Sequence, residues 1–246
     1  MINKILSFKQ IPVIKHGNFN IVSEYKIPVK NDADVFVRVD ADYSANHFET
    51  KIDDSEFQNI ARNGFSIDKN KKLLKNGGMD VWSTKHRNHG FGVVMHLNNI
   101  MELFENDLDR IELYSMGSAV LFHGKCKFEP DFRDKDTIED ALYEISLKDY
   151  KKFPQIEKSV DKAEEYLNEI AMTGGYHALD SDKIKYAKEI VSEYIETLNT
   201  KKLTPEQKEE YGFSSGFNMV LTKEKILENK DFFNGLFKKF NIDYEI

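Results

Sequence analysis

Cysteine is almost missing from this sequence. The one residue present, Cys126, cannot form a disulfide within the chain or build a zinc site from several thiolates. By itself it reads as a small buried apolar side chain. Long apolar runs are missing too: none approaches the roughly eighteen residues of a membrane-crossing helix. The opening MINKILSFKQIPVIKHG has neither the apolar core nor the small-residue cleavage site of a secretion signal. A cytoplasmic protein with no membrane partner is the expectation. Positive charge is not in excess, since 42 acidic side chains against 35 Lys and Arg give a net −7, which argues against sequence-independent binding of nucleic acid. Only five prolines interrupt 246 residues, and no repeat or low-complexity tract is evident. What is there is core material: 40% hydrophobic and 12% aromatic residues, enough for one enlarged domain or two small ones.

In the first half, FNIVSEYKI (Phe19 to Ile27) and DVFVRVDAD (Asp34 to Asp42) alternate apolar and polar residues and predict neighbouring strands. Asp54 and Ser55 are placed to cap a short helix through EFQNIARNG that Gly64 would stop, and Gly77-Gly78 predicts a turn before a strand MDVWSTK. After Gly92, the residues Val93, Val94, Leu97, Ile100, Met101 and Phe104 recur at spacings of three and four, the stripe of an amphipathic helix packed on a sheet. Asp107 to Asp109 predict a turn, RIELYS (Arg110 to Ser115) a strand, and SAVLFHGKC (Ser118 to Cys126) a short helix with Ser118 near its cap. Strand, turn, helix, strand, helix is an α/β pattern.

From about Asp134 to Tyr211 charged residues and helix formers dominate. DTIEDALYEISLKDY, IEKSVDKAEEYLNEIAM and KIKYAKEIVSEYIETLN predict three helices, separated by Pro154 and Gly174-Gly175. GFNMVLT (Gly216 to Thr222) returns to strand composition and KEKILENKDFFNGLFKKF to helix. The expected organisation is a core over residues 1–133, a helical insertion or extension over 134–211, and a last core strand with a C-terminal helix over 212–246.

RNHGFG, Arg87 to Gly92, stands where the polar run gives way to the amphipathic helix. A helix start leaves its first amide groups without intrahelical acceptors, and the macrodipole makes that end partly positive. Glycines let a phosphate come close to the main chain, and Arg87 can add a charge-assisted hydrogen bond. The spacing is neither the dinucleotide G-x-G-x-x-G nor a nucleotide-triphosphate loop, and a plain glycine turn is the competing reading.

With its helix, RNHGFG resembles the pyrophosphate motif R/Q-x-x-G-x-G/A of the GNAT N-acetyltransferase superfamily. Further along, SAVLFHGKCKFEP is similar to that superfamily's A-x-x-F-Y-x-K-x-G-F-x-P stretch, with Ala119, Phe122, Lys125, Phe128 and Pro130 in register. The resemblance covers residues 79 to 130, and FNMVLT corresponds to the family's seventh strand. It implies an α/β fold with a mixed central sheet and flanking helices, to which the helical segment is an addition.

The resemblance also implies transfer of an acetyl group from acetyl-CoA to an amine acceptor by direct attack. Arg87, Asn88, His89, Gly90, Phe91 and Gly92 would hold the pyrophosphate. Val81, Trp82, Ser83 and Thr84 would bind the pantetheine arm through their backbone, between two splayed strands. An amide there would polarise the thioester carbonyl, a donor worth roughly 2.7–4 kcal/mol of barrier. A lysine-like amine, with a pKa near 10.4, needs its proton taken, which typically accelerates attack by about 10²–10⁴-fold. Asp80 and Glu112 are the candidate bases. His123 stands where the family usually has the tyrosine that protonates the departing thiolate, and only its imidazolium form could serve as that acid; Tyr114 is the fallback. Met116 replaces a frequent cofactor-contacting Asn, and Lys127 a glycine, at little cost unless φ there is positive.

Other readings remain open. A catalytically inactive GNAT-like module that binds a partner through its helical segment is the alternative, motivated by His123. His86, His89 and His96 lie close in sequence but lack the acidic or thiolate company of a metal site. The last helix, with Ile226, Phe232, Phe233, Leu236, Phe237 and Phe240, is expected to pack against the body or against a second subunit in a homodimer.

Overall fold

The computed structural model describes the backbone of residues 14–16, 19–27 and 35–42, and residues 46–53, 59–81, 90–133, 135–172, 181–201, 203–240 and 242–246 more fully. The architecture is mixed α/β, a mixed sheet flanked by helices with a helical C-terminal half, as the sequence predicts. Two compact units divide the chain: Met1–Leu113 with Thr222–Ile246, and Tyr114–Leu221.

The first unit opens with six strands in antiparallel succession, β1 (Ile14–His16), β2 (Phe19–Ile27), β3 (Val35–Asp42), β4 (His47–Asp53), β5 (Asn59–Asp68) and β6 (Leu73–Val81). The predicted neighbours β2 and β3 do pair. Two expectations fail here. The helix expected through EFQNIARNG is, from Asn59 on, strand β5, while Asp54 and Ser55 lie outside the described residues. The reason is period two: Ala61, Asn63, Phe65 and Ile67 are buried on one face and find partners on both β4 and β6. Gly77-Gly78, expected as a turn, lies inside β6. Gly64 pairs with Gly78 and Phe65 with Asn76, so Gly77 is the extra residue of a β-bulge. The turn falls earlier, at 69–72, where Lys72 takes a φ of 48° and donates its amide to the Lys69 carbonyl at 3.3 Å.

Helix α1 (Phe91–Glu105) crosses from β6 to β7 (Arg110–Ser115), which pairs with β6 in parallel. The sequence predicts a one-sided stripe, yet every residue from Val94 to Leu103 is buried. Strands β4, β5 and β6 cover one side of α1, and α8 (Lys230–Lys239) packs against it as well, with Phe233 and Phe237 buried. Polar side chains are therefore trapped. Asn98 donates to the Thr50 hydroxyl at 3.1 Å and Asn63 to the Asn99 side-chain oxygen Oδ1 at 2.9 Å, both in full burial. Glu102 is buried too, and desolvation pushes its carboxyl up to about 8 despite a hydrogen bond from Asn106.

The second unit begins with a 3-10 turn (Gly117–Ala119) that holds Ser118, followed by α2 (Val120–Lys125). The predicted helices are present as α3 (Lys135–Ser146), α4 (Glu157–Met172) and α5 (Ser181–Thr200), joined by α6 (Pro205–Tyr211). The last of these starts in a capping box between Thr204 and Gln207 with Pro205 at its first position. Helix α2 belongs with this unit because it packs on α5: Gly124 lies against Ile195, and Asn199 donates to the Leu121 carbonyl at 3.0 Å. A short strand β8 (Glu129–Pro130) pairs with β9 (Phe217–Thr222), the predicted FNMVLT strand. Helix α7 (Lys223–Glu228), capped by Thr222, then leads into α8.

Candidate functional site

Strands β6 and β7 stay together for only three residue pairs, Leu73 with Arg110, Leu74 with Ile111 and Lys75 with Glu112. From Asn76 to Val81, β6 has a strand partner only on its β5 side among the described residues. The amide and carbonyl groups of that edge are thus available to an extended ligand, in the manner of an added strand. Val81 ends β6 on this edge; Trp82, Ser83, Thr84, His86, Arg87, Asn88 and His89 lie outside the described residues.

The chain returns at Gly90, the residue before α1, with a φ of 89° that an L side chain seldom adopts. Its carbonyl accepts the Val94 amide at 3.1 Å, the first intrahelical bond. No side chain caps this end, and the first turn, which contains Phe91 and Gly92, holds no acidic residue. The α1 start therefore keeps its partly positive character for an outside anion. One side of Gly90 is occupied: a Cβ there would stand 2.5 Å from Cζ of Phe240, and the Lys239 ammonium lies 5.4 Å from the centre of the same ring. Sequence reasoning placed Phe240 in the packing of the last helix and missed that this aromatic and cationic pair borders the glycine corner. The only signal was the run KKF itself.

Asp80 and Glu112 lie on the sheet face turned away from α1, because their strands place Met79 and Val81, Ile111 and Leu113 on the other. Asp80 is exposed and 4.0 Å from Arg62. Glu112 is buried and accepts the Arg110 Nε–H at 2.7 Å. On this face β4, β5 and β6 enclose a hollow of about 600 Å³ lined by His47, Glu49, Arg62, Lys75 and Asp80 around Gly64, Gly77 and Gly78.

In the second unit, Tyr114 is 61% exposed and its hydroxyl donates to the Gly216 carbonyl at 3.1 Å. His123 is buried between Phe122 and Phe128, with ring centres at 5.1 and 5.9 Å. Burial pulls its imidazole down to about 4, so it is neutral at pH 7 and lacks the proton that an imidazolium acid requires. Cys126 is buried and its thiol pushed up to about 12 by the same cause, an inert apolar side chain as expected. Met116 is exposed, and Lys127 has a φ of 70°. His96 is buried within α1.

No protein-family model and no curated protein matches the chain. Among solved structures it is similar to GCN5 of Tetrahymena, at 14% identity and a TM-score of 0.33 over 37% of this chain and 57% of that one. It is similar to an acetyltransferase of the GNAT family from Staphylococcus aureus, at 18% identity and a TM-score of 0.34 over 37% and 58%. A third is the spermidine/spermine N-acetyltransferase SpeG from Vibrio cholerae, at 15% identity and a TM-score of 0.32 over 37% and 55%. The match spans little more than half of each of those chains. Each of these likenesses covers 37% of this chain.

Proposed function

We propose that this chain is an N-acetyltransferase that uses acetyl-CoA as cosubstrate and a primary amine of a small molecule or protein as acceptor. The observation that carries the reading is the early parting of β6 from β7, just before β6 runs on toward the uncapped start of α1. In this reading the backbone of Val81 to Thr84 receives the pantetheine arm, and Arg87, Asn88, His89, Gly90, Phe91 and Gly92 the pyrophosphate. The amine nitrogen attacks the thioester carbon, the C–S bond breaks as the tetrahedral intermediate collapses, and the amine proton passes to a carboxylate. Asp80, exposed on the open sheet face, suits that role better than Glu112, which is already held by Arg110. The departing thiolate is protonated by solvent, since His123 is neutral and the Tyr114 hydroxyl donates to the Gly216 carbonyl.

Gly90 is a poor site for testing this, since any side chain there collides with Phe240 as well as straining φ. Gly92→Asp leaves Gly90 and its φ unchanged. It replaces glycine in the first turn of α1 with a residue that suits a helix start, a gain of about 0.3–1 kcal/mol, while setting a carboxylate against the phosphates. Calorimetric titration should show acetyl-CoA binding to the wild type and at least a tenfold weakening in Gly92→Asp, with no loss of thermal stability. Wild-type protein that does not bind acetyl-CoA overturns the reading. The buried, neutral His123 where the family usually has tyrosine favours the second reading, an inactive binding module. Acetyl-CoA binding without CoA release across peptides, polyamines and aminoglycosides would select it.

A further inference from the structure

Three glycines form the floor of the hollow on the sheet face away from α1. Gly64 of β5 and Gly78 of β6 are paired across the ladder, and Gly77 is the bulge residue beside them. Glycine weakens a strand and needs a reason there. Backbone conformation does not supply one, since Gly90 is the one glycine with positive φ among the described residues. Packing does not either: a Cβ on Gly78 would meet nothing within 4 Å, and one on Gly64 or Gly77 only an ordinary contact at 3.4 Å. What the glycines do is lower the floor to the level of the backbone, so that another main chain can lie on it.

The walls carry both signs of charge. Glu49 sits 3.2 Å from Lys51 and 3.9 Å from Arg62, which in turn is 4.0 Å from Asp80. At the other end Lys75 is exposed and makes no ion pair among the described residues. Along β6, Asp80 and Lys75 thus line the hollow from opposite sides of Gly77-Gly78. Their separation along the strand is roughly 15 Å, a span that three or four extended residues bridge once the two side chains lean inward. A volume of about 600 Å³ is in the range of small-molecule sites.

We propose that this hollow receives a short peptide with free termini, its amino end toward Asp80 and its carboxylate toward Lys75, as the amine acceptor. The assignment as acceptor rests on the acetyltransferase reading; the binding site does not. A polyamine fits poorly, because it would bring a second cation to Lys75 and Arg62.

Trialanine with free termini, trialanine amide and spermidine serve as probes, each titrated without acetyl-CoA and then assayed for CoA release. Trialanine should bind, and the amide at least tenfold more weakly. Lys75→Glu should abolish that preference. Gly78→Val should keep the melting temperature, since its side chain enters empty space in a strand, and should lose trialanine binding at least tenfold by filling the hollow. Spermidine binding tighter than trialanine, or trialanine binding unmoved by Gly78→Val and Lys75→Glu, overturns the proposal. Trialanine bound in a Gly78-dependent way with no CoA release from any of the probes leaves the site standing and removes the acetyltransferase reading. Turnover with spermidine and not with trialanine does the reverse.

Discussion

Lys127 carries the chain out of α2 toward β8 with a φ of 70°, in the left-handed region where a Cβ costs roughly 1–2 kcal/mol. A glycine there relieves the strain but frees the unfolded chain, which takes back about 0.4–1 kcal/mol. Lys127→Gly is therefore expected to stabilise the protein by about 0.5–1 kcal/mol in urea unfolding. A loss of stability would show that the lysine side chain holds something glycine cannot. The residue also marks a boundary of what sequence can reveal. That Lys127 stands in place of a glycine is visible in the motif, whereas the sign of φ, which sets the cost, is not. His123 is similar: its position was legible, but its neutral state follows from burial between Phe122 and Phe128, which only tertiary packing creates.

Helix α1 and strand β5 show the same division among elements. The α1 span was readable because apolar residues recur at spacings of three and four over fifteen residues. The β5 strand was not, since EFQNIARNG satisfies local helix rules and its strand state depends on edges offered by β4 and β6. Nor could periodicity show that α1 buries polar groups, whose partners Thr50 and Asn63 are remote in sequence. Glu102 gives this layer a measurable signature. Its folded value of about 8 lies above the ordinary 4.5, so the folded protein keeps a proton that the unfolded chain releases. The stability this supplies is complete below about pH 4.5 and is lost as pH rises to about 8, a contribution of a few kcal/mol. Glu102→Gln should flatten that part of the pH profile and should be more stable than wild type above pH 8. A parallel profile in thermal unfolding from pH 5 to 9 would mean that Glu102 is already ionised at neutral pH.

For the molecule as a whole, the groups assigned to the cosubstrate, at the end of β6 and the α1 start, belong to the first unit. Binding there is linked to folding of that unit. Acetyl-CoA at one hundred times its Kd should add about 2.7 kcal/mol, a rise in melting temperature of roughly 5–10 °C for a chain of this size, and Gly92→Asp should show about half of it or less at the same concentration. The change in composition near Asp134 marks where helix formers take over, whereas the packing of α2 on α5 through Gly124 and Asn199 is a contact that composition does not register.

The chain departs from the first unit after Leu113 and re-enters it at Thr222, and its two thresholds are already fastened together. The Lys223 amide donates to the Asp109 carbonyl at 2.7 Å, and the Lys223 ammonium lies 3.1 Å from the Asp107 carboxylate. A detour that starts and finishes at adjacent, anchored points adds little closure entropy however long it grows. Such a junction is a tolerant port: the connections between the helices of the excursion can change length while its two posts stay fastened.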